Sequence, residues 1–197
     1  MESIFQQVYE ENLWNGVESR SGPGSGPSAT KRIADTIVRL VADRDIRSVI
    51  DVGCGDGFWM PDLPGYIGID PAKAAILLSR ERHPDRTYIW GDIRSTSMHA
   101  DLIIIRDVLQ HLDVDEAHGL LKGCFARAKW VLASTYLDGE NTGITPEELL
   151  RGKAYMNDLE KPPFSLPHPV MVIPDGYDYA DPERTRDFRK FLGLWPT

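Results

Sequence analysis

The segment Ser48-Val49-Ile50-Asp51-Val52-Gly53-Cys54-Gly55-Asp56-Gly57 restricts the architecture more than any other part of the chain. Its first half is a short, nearly continuous apolar run of the kind found in strands buried on both faces, and such strands belong to parallel sheets covered by helices. The glycines at alternate positions then allow positive backbone dihedrals and let a ligand approach the main chain closely.

The rest of the chain repeats this alternation. Ile33, Ile37, Leu40 and Val41 recur at helical spacing within Ala29 to Ala42. Strands are predicted at Tyr66 to Asp70, Thr87 to Trp90, Asp101 to Ile105 and Trp130 to Ser134, with helices from Pro71 to about Glu81 and from about Asp113 to Ala128. The expected fold class is α/β, a Rossmann-like, mostly parallel sheet with helices on both faces. In the tail Pro162, Pro163, Pro167, Pro169 and Pro174 break any long helix, and one strand, Val170 to Ile173, is predicted to finish the sheet.

With 197 residues, 42% of them hydrophobic, one domain is expected. Its parts are an N-terminal helix and loop (1–28), a core (29–135) and a C-terminal segment walling the substrate side (136–197). The Gly/Pro-rich loop Ser21 to Ser28 is either a flexible linker or a lid, and the costly side chains Trp14, Glu18 and Arg20 beside it favour a lid. Apolar runs fall short of the roughly 20 residues needed to span a bilayer, and the first residues lack a signal-peptide pattern. A cytoplasmic protein with reduced Cys54 and Cys124 is expected. The net charge of -8 disfavours a nucleic-acid-coating surface.

In open parallel sheets, ligands gather at the carboxyl ends of the strands. Here the glycines fall at 53, 55 and 57, one residue short of the dinucleotide G-x-G-x-x-G pattern, and this spacing suits S-adenosylmethionine (SAM) better than NAD. Asp70 ends the second strand, where a carboxylate can accept from ribose hydroxyls. Asp92 ends the third, placed to accept from an adenine amino group while Ile93 or Trp90 packs on the ring.

Asp51 to Gly57, Asp70 and Gly91-Asp92-Ile93 resemble the nucleotide-binding motifs of class I SAM-dependent methyltransferases, over residues 47–135. A narrower resemblance is to small bacterial methyltransferases with a Gly-Asp-x-x-Trp-Met turn, an Arg-Asp-Val-Leu-x-His-Leu segment and a Pro-Phe-x-x-Pro-x-Pro tail, here Gly55 to Met60, Arg106 to Leu112 and Pro163 to Pro169. The resemblance implies SAM as cofactor, with Asp51, Gly53, Cys54, Gly55, Asp70, Asp92, Ile93 and Arg106 as its contacts. One departure is plain: only eight residues, two of them proline, separate Gly57 from the second strand, so the first crossover helix is shortened. Trp59 then either covers the cofactor or packs in the core.

For the transfer itself, Arg106-Asp107-Val108-Leu109-Gln110-His111-Leu112 supplies the candidates. If the segment is helical, Asp107 and His111 share a face. His111 is then a general base or orienting group, held by Asp107, or else a structural residue under the cofactor. Arg106 contacts the methionine carboxylate or an anionic substrate, or is a surface ion-pair partner. The His111, Asp113, Asp115, Glu116, His118 cluster is read as the acidic start of a helix rather than a metal site. Lys161-Pro162-Pro163-Phe164 lacks the leading amide or acid of the planar-amine methyltransferase motif. Trp14, Arg20, Trp59, Asn157, Phe164 and His168 are candidate acceptor-pocket residues. The expected activity is methyl transfer to O or N of a small polar molecule such as a sugar, a nucleotide-linked intermediate or a natural product. The alternatives are an RNA or protein methyltransferase, and a SAM-binding partner subunit without activity of its own.

Overall fold

A computed structural model of the chain describes residues 4–175 and 190–197. Residues 1–3 and 176–189, parts of the expected N-terminal and C-terminal segments, lie outside the described residues. The elements are α1 (Ile4–Glu11), α2 (Pro27–Asp43), β1 (Val49–Val52), β2 (Tyr66–Asp70), α3 (Lys73–Arg82), β3 (Thr87–Trp90), β4 (Ala100–Ile105), α4 (Val114–Phe125), β5 (Ala128–Tyr136), the short α5 (Pro146–Leu150), β6 (Met171–Pro174) and β7 (Lys190–Pro196). They form one seven-stranded sheet of order β3-β2-β1-β4-β5-β7-β6. The pairs from β3 to β5 are parallel, and β7 runs antiparallel to both β5 and β6.

The strands are apolar on both sides because both sides are covered. Val49, Leu102, Ile104 and Leu132 face Ile33, Ile37, Leu40 and Val41 of α2, with Ile76 of α3. Their neighbours Ile50, Ile103, Ile105 and Val131 face Ala117, Leu120, Leu121 and Cys124 of α4. This alternation follows from the two-residue period of a strand. Asp113 caps α4 by accepting from the Asp115 N–H at 2.9 Å, with Asp115 and Glu116 in the first turn, where the helix dipole favours negative charge.

The structure corrects three sequence expectations. The N-terminal helix expected within 1–28 stops at Glu11, and Asn12 takes a positive φ of 51°, so Trp14 lies in the loop beyond it. β7 was not foreseen: Gly193 and Pro196 look like breakers, yet β7 pairs with both β5 and β6. At Gly193 a Cβ would lie 2.3 Å from the Trp195 ring, so glycine is what lets that buried indole lie across the strand. Third, Asp107 has φ 57° and starts no helix, and only a 3-10 turn, Leu109–His111, follows it. The shortened first crossover is as expected, since no helix lies between β1 and β2. No helix among the described residues is long and apolar enough to cross a membrane.

Candidate active site

The glycine turn leaves β1 with Gly53, Gly55 and Gly57 at φ 74°, 58° and 66°, so each takes the left-handed backbone that side-chain-bearing residues avoid. Gly53 and Cys54 donate their N–H groups to the Ile69 carbonyl at 2.8 and 3.2 Å, stitching the turn to the end of β2. There Asp70 accepts from the Gly55 N–H at 3.0 Å through one oxygen and from the Ala72 N–H at 2.8 Å through the other. These bonds use two of roughly four lone-pair directions on the carboxylate. Burial raises the Asp70 pKa to about 6 against the pull of these N–H donors, and raises Asp51, which accepts from the Tyr66 hydroxyl at 3.0 Å, to about 7.

The N-terminal segment closes over this turn. Asp56, buried between two of the glycines, accepts from the Ser19 hydroxyl at 2.8 Å, the Arg20 N–H at 3.0 Å and the Ser21 hydroxyl at 3.2 Å, and pairs with Arg82 at 3.2 Å. Ser21 also bonds the Tyr9 hydroxyl at 2.8 Å. A Cβ on Gly55 would lie 2.2 Å from Ser21 Oγ and 2.6 Å from the Tyr9 hydroxyl. Gly55→Ala is therefore expected to push residues 9–21 off the turn and to cost about 1–2 kcal/mol for the backbone conformation alone. Faster limited proteolysis between residues 12 and 22, with a lowered Tm, checks this.

The next strand end carries the charge. Arg106 is buried and makes a two-pronged pair with Asp175, at 3.0 and 2.9 Å, while donating to the Gly24 carbonyl at 2.9 Å. Its guanidinium also lies 4.8 Å from the centre of the Trp59 ring. Asp107 pairs with Lys190, lies 3.4 Å from Arg106 and accepts from the Gln110 amide at 2.7 Å. These charges hold its carboxyl well below the usual carboxylate range despite its burial. Lys190 also pairs with Asp175 at 3.1 Å, so one network ties the ends of β4, β6 and β7. His111 stacks on Trp14, ring centres 5.0 Å apart, and its Nδ1 is buried without a partner. Burial lowers its pKa, against the opposing pull of the Asp107 charge and the Lys153 backbone, and so favours the neutral ring.

Between turn, N-terminal segment and β4 end lies a cavity lined by Phe5, Tyr9, Trp14, Ser21, Ser25, Gly53, Cys54, Trp59, Asp70, Pro71, Arg106, Asp107, Val108 and His111. The matching family model, described as a methyltransferase domain, spans residues 28–157, well over half of the chain. This chain belongs to the methyltransferase domain family. No curated protein sequence matches it. Among solved structures it is similar to the N-methyltransferase NodS from Bradyrhizobium japonicum WM9 in complex with S-adenosyl-L-homocysteine, at 15% identity and TM-score 0.69 over 99% of each chain. It is also similar to magnesium protoporphyrin IX methyltransferase (ChlM) from Synechocystis PCC 6803 with bound SAM, at 16% identity and TM-score 0.56, over 98% of this chain and 90% of that one. At such identities the likeness is one of fold.

In this methyltransferase Gly53, Cys54, Asp70, Arg106, Asp107, His111, Trp14 and Trp59 all line the cavity. Several expected contacts are placed elsewhere. Asp51 is buried beneath the turn on β1. Asp92 spends both oxygens on Arg94, at 2.6 to 3.1 Å, and Ile93 packs in the core on the α4 side. Arg20 turns away to the Tyr9 carbonyl at 2.6 Å, satisfying the end of α1. Asn157 donates to the Ser134 carbonyl at 2.9 Å, and Phe164 is core, edge-on to His118. His168 pairs with Glu160 at the surface. Arg106 is not a surface ion-pair partner but is buried against Asp175, and Asp107 starts no helical turn and bonds Gln110 and Lys190 instead of His111. Tyr9, Ser21, Asp56, Gln110 and Lys190 were missed, because each acquires its role only across a tertiary contact.

Proposed function

We propose that this chain transfers the methyl group of SAM to an oxygen or nitrogen of a small polar molecule. The observation that carries the proposal is the buried carboxylate of Asp70, set against the Gly55 N–H in the wall of a cavity and keeping lone pairs to spare. Asp70 would accept from the ribose hydroxyls, and the glycine turn would lie along the cofactor, where any side chain would intrude. The fit carries one condition. The free space in the cavity, about 70 Å³, is far below the roughly 300–1,000 Å³ of a ligand pocket. Residues 4–28 therefore act as a lid: Tyr9 and Ser21 must lift from Gly55 to admit the cofactor and then close over it.

SAM supplies a methyl group on a sulfonium leaving group, so the protein needs chiefly to align the acceptor and exclude water. The lid excludes water. The neutral His111, with a bare Nδ1, takes the proton from an attacking hydroxyl, and Trp14 fixes its ring. Asp107 keeps the neighbouring Gln110 oriented. With an acceptor in hand, His111→Gln is expected to lower kcat by about 100-fold or more while leaving affinity for S-adenosylhomocysteine unchanged. Unchanged turnover at saturation removes His111 from the mechanism.

The activity is tested by incubating the protein with methyl-labelled SAM and fractionated extract of the source organism, followed by mass spectrometry of the labelled product. Label in a small molecule is expected. Label confined to RNA or protein fractions overturns the small-molecule assignment, and label appearing only after a second protein is added points to a partner subunit.

A further inference from the structure

Next to the cofactor cavity lies a second cleft of about 350 Å³, between residues 13–24 of the lid, the 107–111 segment, Arg151-Gly152 and Lys190. It shares Trp14, Ser21, Asp107 and His111 with the first, so the two open onto the same side chains. Gln110 lines it and is only 3% exposed. Its amide orientation is decided by chemistry: the group at 2.7 Å from Asp107 Oδ1 must be the NH2, because an ionised carboxylate only accepts. The charge of Asp107 is in turn secured by Lys190 and Arg106. Gln110 Oε1 is thereby the remaining end, and it is buried with no hydrogen-bond partner. Leaving such an acceptor unmet costs about 1–3 kcal/mol. Beside it His111 Nδ1 is buried without a partner, and because the ring spends its N–H on the Lys153 backbone, Nδ1 is a second bare acceptor.

The cations at this cleft are already engaged. Lys190 pairs with Asp107 and Asp175, and Arg151 pairs with Glu147 at 2.6 Å. Among the described residues, the cleft thus presents two bare acceptors and no uncommitted cation. Building on the assignment of the neighbouring cavity to SAM, we propose that this cleft holds the methyl acceptor. Gln110 Oε1 selects that acceptor by receiving a hydrogen bond from a neutral hydroxyl or amino group next to the one that is methylated. The substrate class is then a vicinal diol or amino alcohol, as in polyols and amino sugars, and carboxylate acceptors are rejected because their oxygens would face the lone pairs of Gln110 and His111. In the transfer the acceptor's lone pair forms the new bond to the methyl carbon. The bond from that carbon to sulfur breaks with its electrons staying on sulfur, and the acceptor's proton passes to His111 Nδ1.

Three probes on one ring test this with the full chain and methyl-labelled SAM: trans-2-aminocyclohexanol, trans-cyclohexane-1,2-diol and cyclohexanecarboxylate. Label is expected on at least one of the first two and not on the third as its methyl ester. Gln110→Leu is expected to lower kcat/KM for the labelled probe at least 10-fold, chiefly through KM, with affinity for S-adenosylhomocysteine by calorimetry unchanged within twofold. Gln110→Met serves as the second variant if the leucine form melts early. Ester formation, no transfer to either donor-bearing probe by protein that binds S-adenosylhomocysteine, or no effect of both Gln110 variants overturns the proposal. Failure of the protein to bind S-adenosylhomocysteine at all instead overturns the assignment of the cofactor cavity.

Discussion

Asp70→Asn is expected to weaken SAM binding about 100-fold or more. Hydrogen bonds to a charged acceptor contribute roughly 1.5–3 kcal/mol each, two ribose hydroxyls are available, and 1.4 kcal/mol corresponds to about tenfold in affinity. The amide also exchanges one acceptor for a donor, which would confront the Gly55 or Ala72 N–H that Asp70 now receives. A pH dependence accompanies the loss. Burial raises the Asp70 pKa to about 6, the nearby charge of Asp56 adds to it, and the ionised form is the one that binds. Affinity should therefore be full above that value and fall as pH drops through about 6. Asp51, raised to about 7 beneath the turn, contributes to the same window without touching the cavity. Calorimetric titration of both proteins between pH 5 and 8 checks this, and the part of the acid-side loss due to Asp70 should vanish in the variant.

Arg106→Met is expected to have the largest effect on stability. Arg106 and Asp175 are both buried, and without Arg106 the single cation Lys190 must balance both Asp107 and Asp175, leaving one excess buried charge at about 3–5 kcal/mol. In a domain of this size that is roughly 10 °C in Tm. The loss should spread, because the same guanidinium holds the Gly24 carbonyl of the lid and lies over Trp59. Arg106→Met combined with Asp175→Asn should melt higher than the sum of the single losses requires, since the second change removes the stranded charge. Additive losses in urea denaturation would mean that the pair is not coupled.

What was legible in the chain was local. The glycine turn and Asp70 declare themselves because a strand, a turn and a terminal carboxylate are close in sequence and each has a backbone reason to be there. The truncated crossover was equally visible, since Pro61 and Pro64 leave no room for a helix. The Asp92 bond to Arg94 was not legible, because an acid after a strand looks alike whether it faces a ligand or a neighbour two residues away. Asp107 misled because spacing suggested a helix where the backbone takes a positive φ, freeing the carboxylate to meet Lys190 and Gln110. The Asp56 clasp on Ser19 and Ser21 and the Arg106 pair with Asp175 join distant parts of the chain. No periodicity or spacing announces such contacts.

In the proposed function the cofactor lies between the glycine turn and the N-terminal lid. Amide hydrogen exchange with and without saturating S-adenosylhomocysteine tests it most directly. Slowed exchange is predicted in two stretches together, residues 53–57 with 70–72, and residues 9–25 as the lid closes over the ligand. Protection that leaves both stretches unchanged, or that falls instead on the surface around Asp92 and Arg94, would contradict it.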